Sequence, residues 1–224
     1  MYTSTYVVIP AYNEDEELAK LVSAISKFVP LSHIVVVDDG SRIPTKSFLP
    51  TTVTTLRHRV NLGKGMALKT GCDYAYHRGA KQIILIDGDG QHHPSHIPTF
   101  LSLLKSGNQI VFGYRDFRGD SPLVRSFGNR LLNFTVAKLF HLKLSDVWCG
   151  YRAFNAAIYP QISWSASDYS VDVEMAIKAG NAKLRHHQIP IQTIYNQDYS
   201  PTSTSIIDGI KLLLELFIWK ITLK

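Results

Sequence analysis

Ile83-Ile84-Leu85-Ile86-Asp87-Gly88-Asp89-Gly90-Gln91 is the stretch on which the reading of this chain turns. Its apolar start, rich in β-branched residues, predicts a short buried strand. The strand stops in two carboxylates separated by one glycine. Hard oxygen donors at a strand end, beside glycines that let other atoms approach the backbone, suit a divalent cation holding phosphate oxygens. Taken alone, an Asp-Gly-Asp triplet is more often an ordinary acidic turn. The segments around it decide.

Outward from this stretch, strands and helices alternate. Tyr6 to Ile9 reads as a buried strand stopped by Pro10. Asn13 is expected to cap a helix, with Glu16 in capping-box position. That helix runs to about Phe28, with Leu18, Leu21, Val22 and Ile25 on one face. Further strands are predicted over His33–Val37, Thr52–Leu56, Gln82–Ile86 and Gln109–Phe112, with helices from Gly65 to about Arg78 and from Ser95 onward. Short connections between alternating elements predict an α/β fold, a mostly parallel twisted sheet with helices on both faces. Ligands of such sheets gather beyond the carboxyl ends of the strands. Pro10-Ala11-Tyr12, Asp38-Asp39, Asp87-Gly88-Asp89 and Gly113-Tyr114-Arg115 all fall at predicted strand ends, so they are expected to share one rim. The second half is less regular. Helices are predicted over Pro122–Phe140 and Val171–Ala179, and a short strand over Cys149–Phe154. Leu184–Tyr195 reads as extended, demoted in part to a sheet edge by Pro190. A last helix runs from about Ser205 to Leu223.

Composition narrows the class. The 224 residues suffice for one sizeable core. A hydrophobic share of 45% with 19% charged residues is that of an ordinary globular chain. The net charge of +6 favours anionic partners without choosing among nucleotides, phosphates, membrane surface and nucleic acid. Cys72 and Cys149 are too few for a disulfide framework and lack metal-site spacing. Neither a secretory leader nor an apolar run of about twenty residues is visible, so no spanning helix is expected. Gly63-Lys64-Gly65 lacks the flanking residues of a P-loop, and neither a dinucleotide fingerprint nor a Gly-x-Ser-x-Gly elbow is present. His92, His93 and His96 read as a polar loop beside Pro94 rather than as a transition-metal site.

Several segments then occur in a telling order: Val8-Ile9-Pro10-Ala11-Tyr12-Asn13-Glu14, Val36-Val37-Asp38-Asp39-Gly40-Ser41, Asn61-Leu62-Gly63-Lys64-Gly65, and Asp87-Gly88-Asp89-Gly90-Gln91-His92-His93-Pro94. Gly113-Tyr114-Arg115, Arg125-x-x-Gly128-Asn129 and Asp146-x-x-Cys149-Gly150-Tyr151-Arg152-Ala153-Phe154 follow. Together they resemble the family-2 glycosyltransferases of GT-A fold, in particular the dolichol-phosphate mannose synthase-like branch. The resemblance implies one GT-A domain over residues 1–224, with a nucleotide-binding half to about residue 115 and an acceptor-side half beyond it. It implies that Pro10, Tyr12, Glu14, Val37 and Asp39 line the nucleoside pocket of a sugar nucleotide. It implies that Asp87 and Asp89, helped by Gln91 and by the open backbone at Gly88, hold Mg²⁺ or Mn²⁺ against the diphosphate. Arg115 is then a phosphate contact and Arg125 a second one. Asp172 and Glu174 match a segment beside the acceptor.

The expected reaction is transfer of a hexose from a nucleoside diphosphate sugar to a polyprenyl or dolichyl phosphate, or to a growing glycan, with inversion. A lipid phosphate oxygen is already anionic. A sugar hydroxyl would need a base, for which Asp172 or Asp146 is the candidate. The basic residues that such synthases usually carry before the last helix are missing, since residues 195–209 contain neither Lys nor Arg. That departure bears on the acceptor more than on the donor. The rival reading is an inactive sugar-nucleotide-binding subunit. No nucleic-acid partner is expected. In the last helix, Ile207, Ile210, Leu214 and Ile221 form one apolar stripe, and Leu212, Leu216, Trp219 and Leu223 a second. The second stripe is open to three partners: the cytoplasmic membrane face, another subunit in a homodimer, or the chain's own core. The expected setting is the cytoplasm, at or near that membrane face.

Overall fold

Alternating side chains of the central strands divide the core into two layers. The computed structural model describes residues 2–115, 123–193, 216 and 218–222, with backbone alone for 123–130. Strand β1 is Thr5–Ala11, β2 Ile34–Asp38, β3 Thr54–Arg57, β4 Gln82–Leu85, β5 Ile110–Arg115, β6 Arg152–Asn155 and β7 His186–Ile191. Helix α1 is Glu16–Ile25, α2 Lys64–His77, α3 Ile97–Lys105, α4 Leu123–Phe140, α5 Tyr159–Ile162 and α6 Val171–Asn181. The strands form one sheet in the order β3-β2-β1-β4-β6-β5-β7. Val7 and Ile9 point to the side packed by α1 and α3, whereas Tyr6 and Val8 point to the side packed by α2, α4 and α6. This is the period-two alternation of a sheet covered on both faces. Burying each such Val, Ile or Leu is worth about 2 kcal/mol.

Most neighbours are parallel, as the alternation predicts. The exception is β6, which runs antiparallel between β4 and β5. Strand β7 lies at the sheet edge, with Pro190 beside Tyr114. That is where a residue without an N–H is tolerated.

Two local expectations are corrected. Pro10 does not stop β1, which continues to Ala11. Val8 O accepts from Ile86 N and Ala11 O from Asp39 N, so backbone groups alternate and those of Pro10 face the β4 side. Pairing with β4 has ended there, at Val8 against Leu85, so the missing N–H costs no ladder bond. Asn13 does not cap α1. Asp15 does, its Oδ1 accepting from Glu16 N at 2.6 Å. Asn13 instead has φ 56°, donates its N–H to Ser41 Oγ and accepts from Arg42 N, tying the exit of β1 to the exit of β2.

The last helix falls largely outside the described residues, including Ile207, Ile210, Leu212, Leu214 and Leu223. Leu216 is fully buried and Trp219 packs against the same core layer. Core is therefore the partner that these two members of the second stripe find. Ile218 and Ile221 face outward, and Lys220 donates to Leu139 O on α4. Among the described residues, no helix is long and apolar enough to cross a membrane.

Candidate active site

Strand ends β1, β2, β4 and β5 open onto one rim. The turn after β4 is pressed against β1. A Cβ at Gly88 would lie 2.7 Å from Pro10 O, so only glycine lets the acidic turn sit this close. Asp89 Oδ1 accepts from Gln91 N at 3.0 Å, which shapes the turn. Asp87 points to the start of α2, where Lys64 Nζ lies 2.8 Å from its Oδ1. The same ammonium donates to Asp172 Oδ2, at 3.0 Å, from the start of α6. Gly150 passes over this pair. A Cβ there would lie 2.6 Å from Asp87 Oδ2 and 2.8 Å from Lys64 Nζ.

Charge in this pocket is unevenly settled. Burial alone would lower the Lys64 ammonium, but Asp172 and Asp87 outweigh it and hold its pKa above the ordinary lysine value. Burial would likewise raise Asp87; Lys64 above all, with His92 and Arg115, brings it below the usual carboxylate range. Among the described residues Asp89 makes no ion pair, and Lys64 and Arg115 lower it only weakly. Burial and the Asp87 charge push it up to about 6. Glu14 is raised by burial and by Asp89, which places it beside the acidic turn. Two hard carboxylates in mutual repulsion at a strand end fit a divalent cation. Among the described residues, no group of three His, Cys, Asp or Glu side chains could hold an ion.

The other expected residues divide into those brought to the rim and those that serve beneath it. Arg115 is at the rim and forks onto Asp146, with Nε 2.7 Å from Oδ2 and Nη2 3.1 Å from Oδ1. Tyr12, the first residue after β1, is half exposed. Asp39 is buried and already occupied. It accepts from Leu62 N at 2.9 Å, Gly63 N at 2.8 Å and His58 Nδ1 at 2.7 Å. Since a carboxylate only accepts, His58 Nδ1 carries a proton, and its Nε2 is hydrogen-bonded with Thr70 Oγ1 at 2.9 Å. Asp38 is equally committed, to Ser41 N, Thr45 N and Arg57. Val37 does not reach the rim; its side chain packs under α2, against Gly71. Glu174 accepts from Ser165 N and Ala166 N and so shapes the strand-like segment before α6. The side chain of Arg125 lies outside the described residues.

Sequence reasoning missed two residues. Lys64 stands in Asn61-Leu62-Gly63-Lys64-Gly65, a cation at the start of the helix that follows a strand end, but that segment enters the sequence reading only against the P-loop and as one of the resembling motifs, with no role for the lysine. Arg152, fully buried, donates to Cys149 O, Val147 O and Asp172 O, bracing the Asp146–Tyr151 segment against α6. Nothing in the periodicity of its neighbours signals a buried guanidinium.

With this geometry in hand, the comparisons with known proteins are decisive. The profile of glycosyl transferase family 2 matches residues 6–162. The chain belongs to that family. An uncharacterized protein of Methanocaldococcus jannaschii is 33% identical over 96% of this chain and 92% of its own length. The UDP-N-acetylglucosamine–dolichyl-phosphate N-acetylglucosaminyltransferase of Methanococcus voltae is 28% identical over 96% of this chain and 95% of its own. The polyprenol monophosphomannose synthase of Mycolicibacterium smegmatis is 28% identical over 84% of this chain and 76% of its own. This family-2 glycosyltransferase thus sits in the dolichol-phosphate mannose synthase-like branch. The fold is that of solved GT-A structures. Glucosyl-3-phosphoglycerate synthase from Mycobacterium tuberculosis, in complex with Mn²⁺, UDP and its product, superposes with a TM-score of 0.70 at 18% identity, covering 98% of this chain and 78% of that one.

Proposed function

We propose that this glycosyltransferase moves a hexose from a nucleoside diphosphate sugar to a polyprenyl phosphate, with inversion, using Mg²⁺ or Mn²⁺ held at Asp87 and Asp89. The observation that carries the acceptor class is the state of the two candidate bases. Asp146 is forked by Arg115, and Asp172 is buried and bound to Lys64. Neither is free to take a proton from a sugar hydroxyl. An anionic phosphate acceptor needs no base, and the lipid-phosphate activities for which the Methanococcus voltae and Mycolicibacterium smegmatis relatives are named point the same way.

In this reading the diphosphate lies over the rim between the ends of β1 and β4. Pro10, Tyr12, Glu14 and Asp39 flank the nucleoside, with Asp39 acting mainly by fixing residues 61–63 beneath it. When bound, the cation neutralises charge on the departing diphosphate, and solved neighbours were crystallised with Mn²⁺ or Mg²⁺ and UDP. Lys64 holds Asp87 and Asp172 at a fixed spacing. Arg115 presents a guanidinium toward developing negative charge, with Asp146 fixing its orientation.

The test is a release assay. The protein is incubated with UDP-, GDP- and dTDP-sugars and undecaprenyl phosphate, with Mn²⁺ or with EDTA, and free nucleoside diphosphate is followed. Release that needs both Mn²⁺ and the lipid phosphate is the expected result. Equal release in EDTA removes the metal role, and release only with a hydroxyl acceptor removes the lipid phosphate. Asp89→Ala should abolish turnover and leave the circular dichroism spectrum unchanged, because a strand-end carboxylate contributes little packing.

A further inference from the structure

The histidine cluster after the acidic turn is not used by the chemistry above, yet it is built into the core. His92 is 5% exposed, and its ring stacks on Tyr151 with centroids 5.7 Å apart. Its backbone forms an isolated antiparallel bridge with Thr193, just past the end of β7. One turn later His96 faces the same Tyr151 ring, and its Nε2 accepts from Gln192 N at 3.1 Å. The turn that follows Asp87 and Asp89 therefore clasps the chain where it leaves β7.

The clasp contains unanswered polar atoms. His92 Nδ1, Tyr151 OH and Thr193 Oγ1 are all buried with no hydrogen-bond partner among the described residues. Leaving one such group unpaired costs about 1–3 kcal/mol. Three of them lie on His92 and on the two residues it meets, Tyr151 and Thr193, a polar cluster of the kind that ordered water satisfies in native proteins. Phe100 packs on the Tyr151 ring, with centroids 4.6 Å apart, and covers it with an apolar side chain.

We propose that His92 is a positioning residue: through a water shared with Tyr151 and Thr193 it fixes where the chain departs from β7, and so couples the metal turn to the acceptor side. The acceptor half of this statement rests on the proposed lipid-phosphate transfer; the clasp itself does not. The chain after Thr193 leads into residues 195–209, which lie outside the described residues and which the family resemblance assigns to the acceptor-side half. Ordering that exit from the metal turn ties the donor-holding segment to the acceptor-holding one without a direct contact between substrates.

The experiment compares His92→Phe, which keeps the ring stack on Tyr151 but removes Nδ1, with His92→Asn, whose side-chain amide returns a polar atom near the Nδ1 position. Hydrogen exchange is followed at residues 189–193, UDP affinity is measured with Mn²⁺, and KM is measured for undecaprenyl phosphate. In His92→Phe, exchange should quicken by about tenfold, as expected when a local opening is eased. UDP affinity should stay within about twofold. KM for the lipid phosphate should rise while kcat changes less, and His92→Asn should restore both exchange and KM. Unchanged exchange in His92→Phe, or an Asn variant as fast as the Phe variant, overturns the proposal. A parallel loss of UDP affinity and melting temperature in both variants also overturns it, since that marks a merely structural histidine. If His92→Phe does not fold, Tyr151→Phe with Thr193→Val removes the cluster's other polar atoms and is judged by the same exchange readout. If no acceptor is turned over at all, the lipid-phosphate reading fails and the exchange data still decide the clasp.

Discussion

Lys64 Nζ stands 2.8 Å from Asp87 Oδ1, so the first carboxylate of the acidic turn is paired within the protein, while among the described residues Asp89 has no ion pair and feels Lys64 and Arg115 only weakly. The asymmetry gives the two acids different work. Asp87 is kept ionised and immobile; Asp89 carries the unrelieved charge that a cation would answer.

Lys64→Ala should destabilise the fold by about 3 kcal/mol, because it strands two buried carboxylates that share one cation. Urea melts at neutral pH check this. Lys64→Arg should not rescue it, since Gly150 leaves no room above the ammonium. A Lys64→Ala protein as stable as the parent would show that Asp87 and Asp172 relax to water.

Asp89 titrates at about 6 because burial and the Asp87 charge both favour its proton. Asp87→Asn removes the second cause and leaves the first. The Asp89 midpoint, read by carboxyl NMR, should therefore fall below 6 without reaching the ordinary value. The sign for stability follows. Between the unfolded carboxylate pKa near 4 and about 6, the folded chain holds a proton that the unfolded chain has released. This group's contribution to stability thus falls as pH rises through that window, and Asp89→Asn should flatten the slope.

Asp39→Ala should weaken UDP and GDP binding without altering the metal requirement. Much of the effect should come through residues 61–63, whose N–H groups Asp39 holds. His58→Ala is the discriminating partner. If Asp39 acts by shaping the loop, His58→Ala weakens nucleotide binding in the same direction but less. If calorimetry finds nucleotide affinity untouched in both, Asp39 has no part in the nucleoside site.

On the last helix, Leu216→Glu should aggregate or unfold the chain, because Leu216 is in the core. Ile218→Glu with Ile221→Glu should fold normally, as exposed substitutions cost within about 0.5 kcal/mol each. If this helix meets an anionic bilayer, with Lys220 beside those residues, the double variant should lose liposome binding while keeping nucleotide affinity. Unchanged liposome binding would assign Ile218 and Ile221 to plain surface.

The strand-helix alternation, the parallel sheet around β1, the acidic turn after β4 and the gathering of strand ends on one rim were legible from the residues alone. Each is written in local signals: period-two apolar runs, the 3.6-residue face of α1, and glycines beside acids. The antiparallel insertion of β6 was not legible, because four residues carry no mark of direction and the chain returns to the rim over residues 141–151 without a strand. Nor was the double ion pair of Lys64, whose partners Asp87 and Asp172 lie far along the chain and meet it only when α2, β4 and α6 pack. The same holds for the commitment of Asp39 to its neighbouring loop and for Leu216 in the core. Local sequence determines which elements form and which chemistry their ends carry. Which charge answers which, and which apolar face is covered, is decided by contacts between distant segments, and only the packed tertiary structure brings those into range.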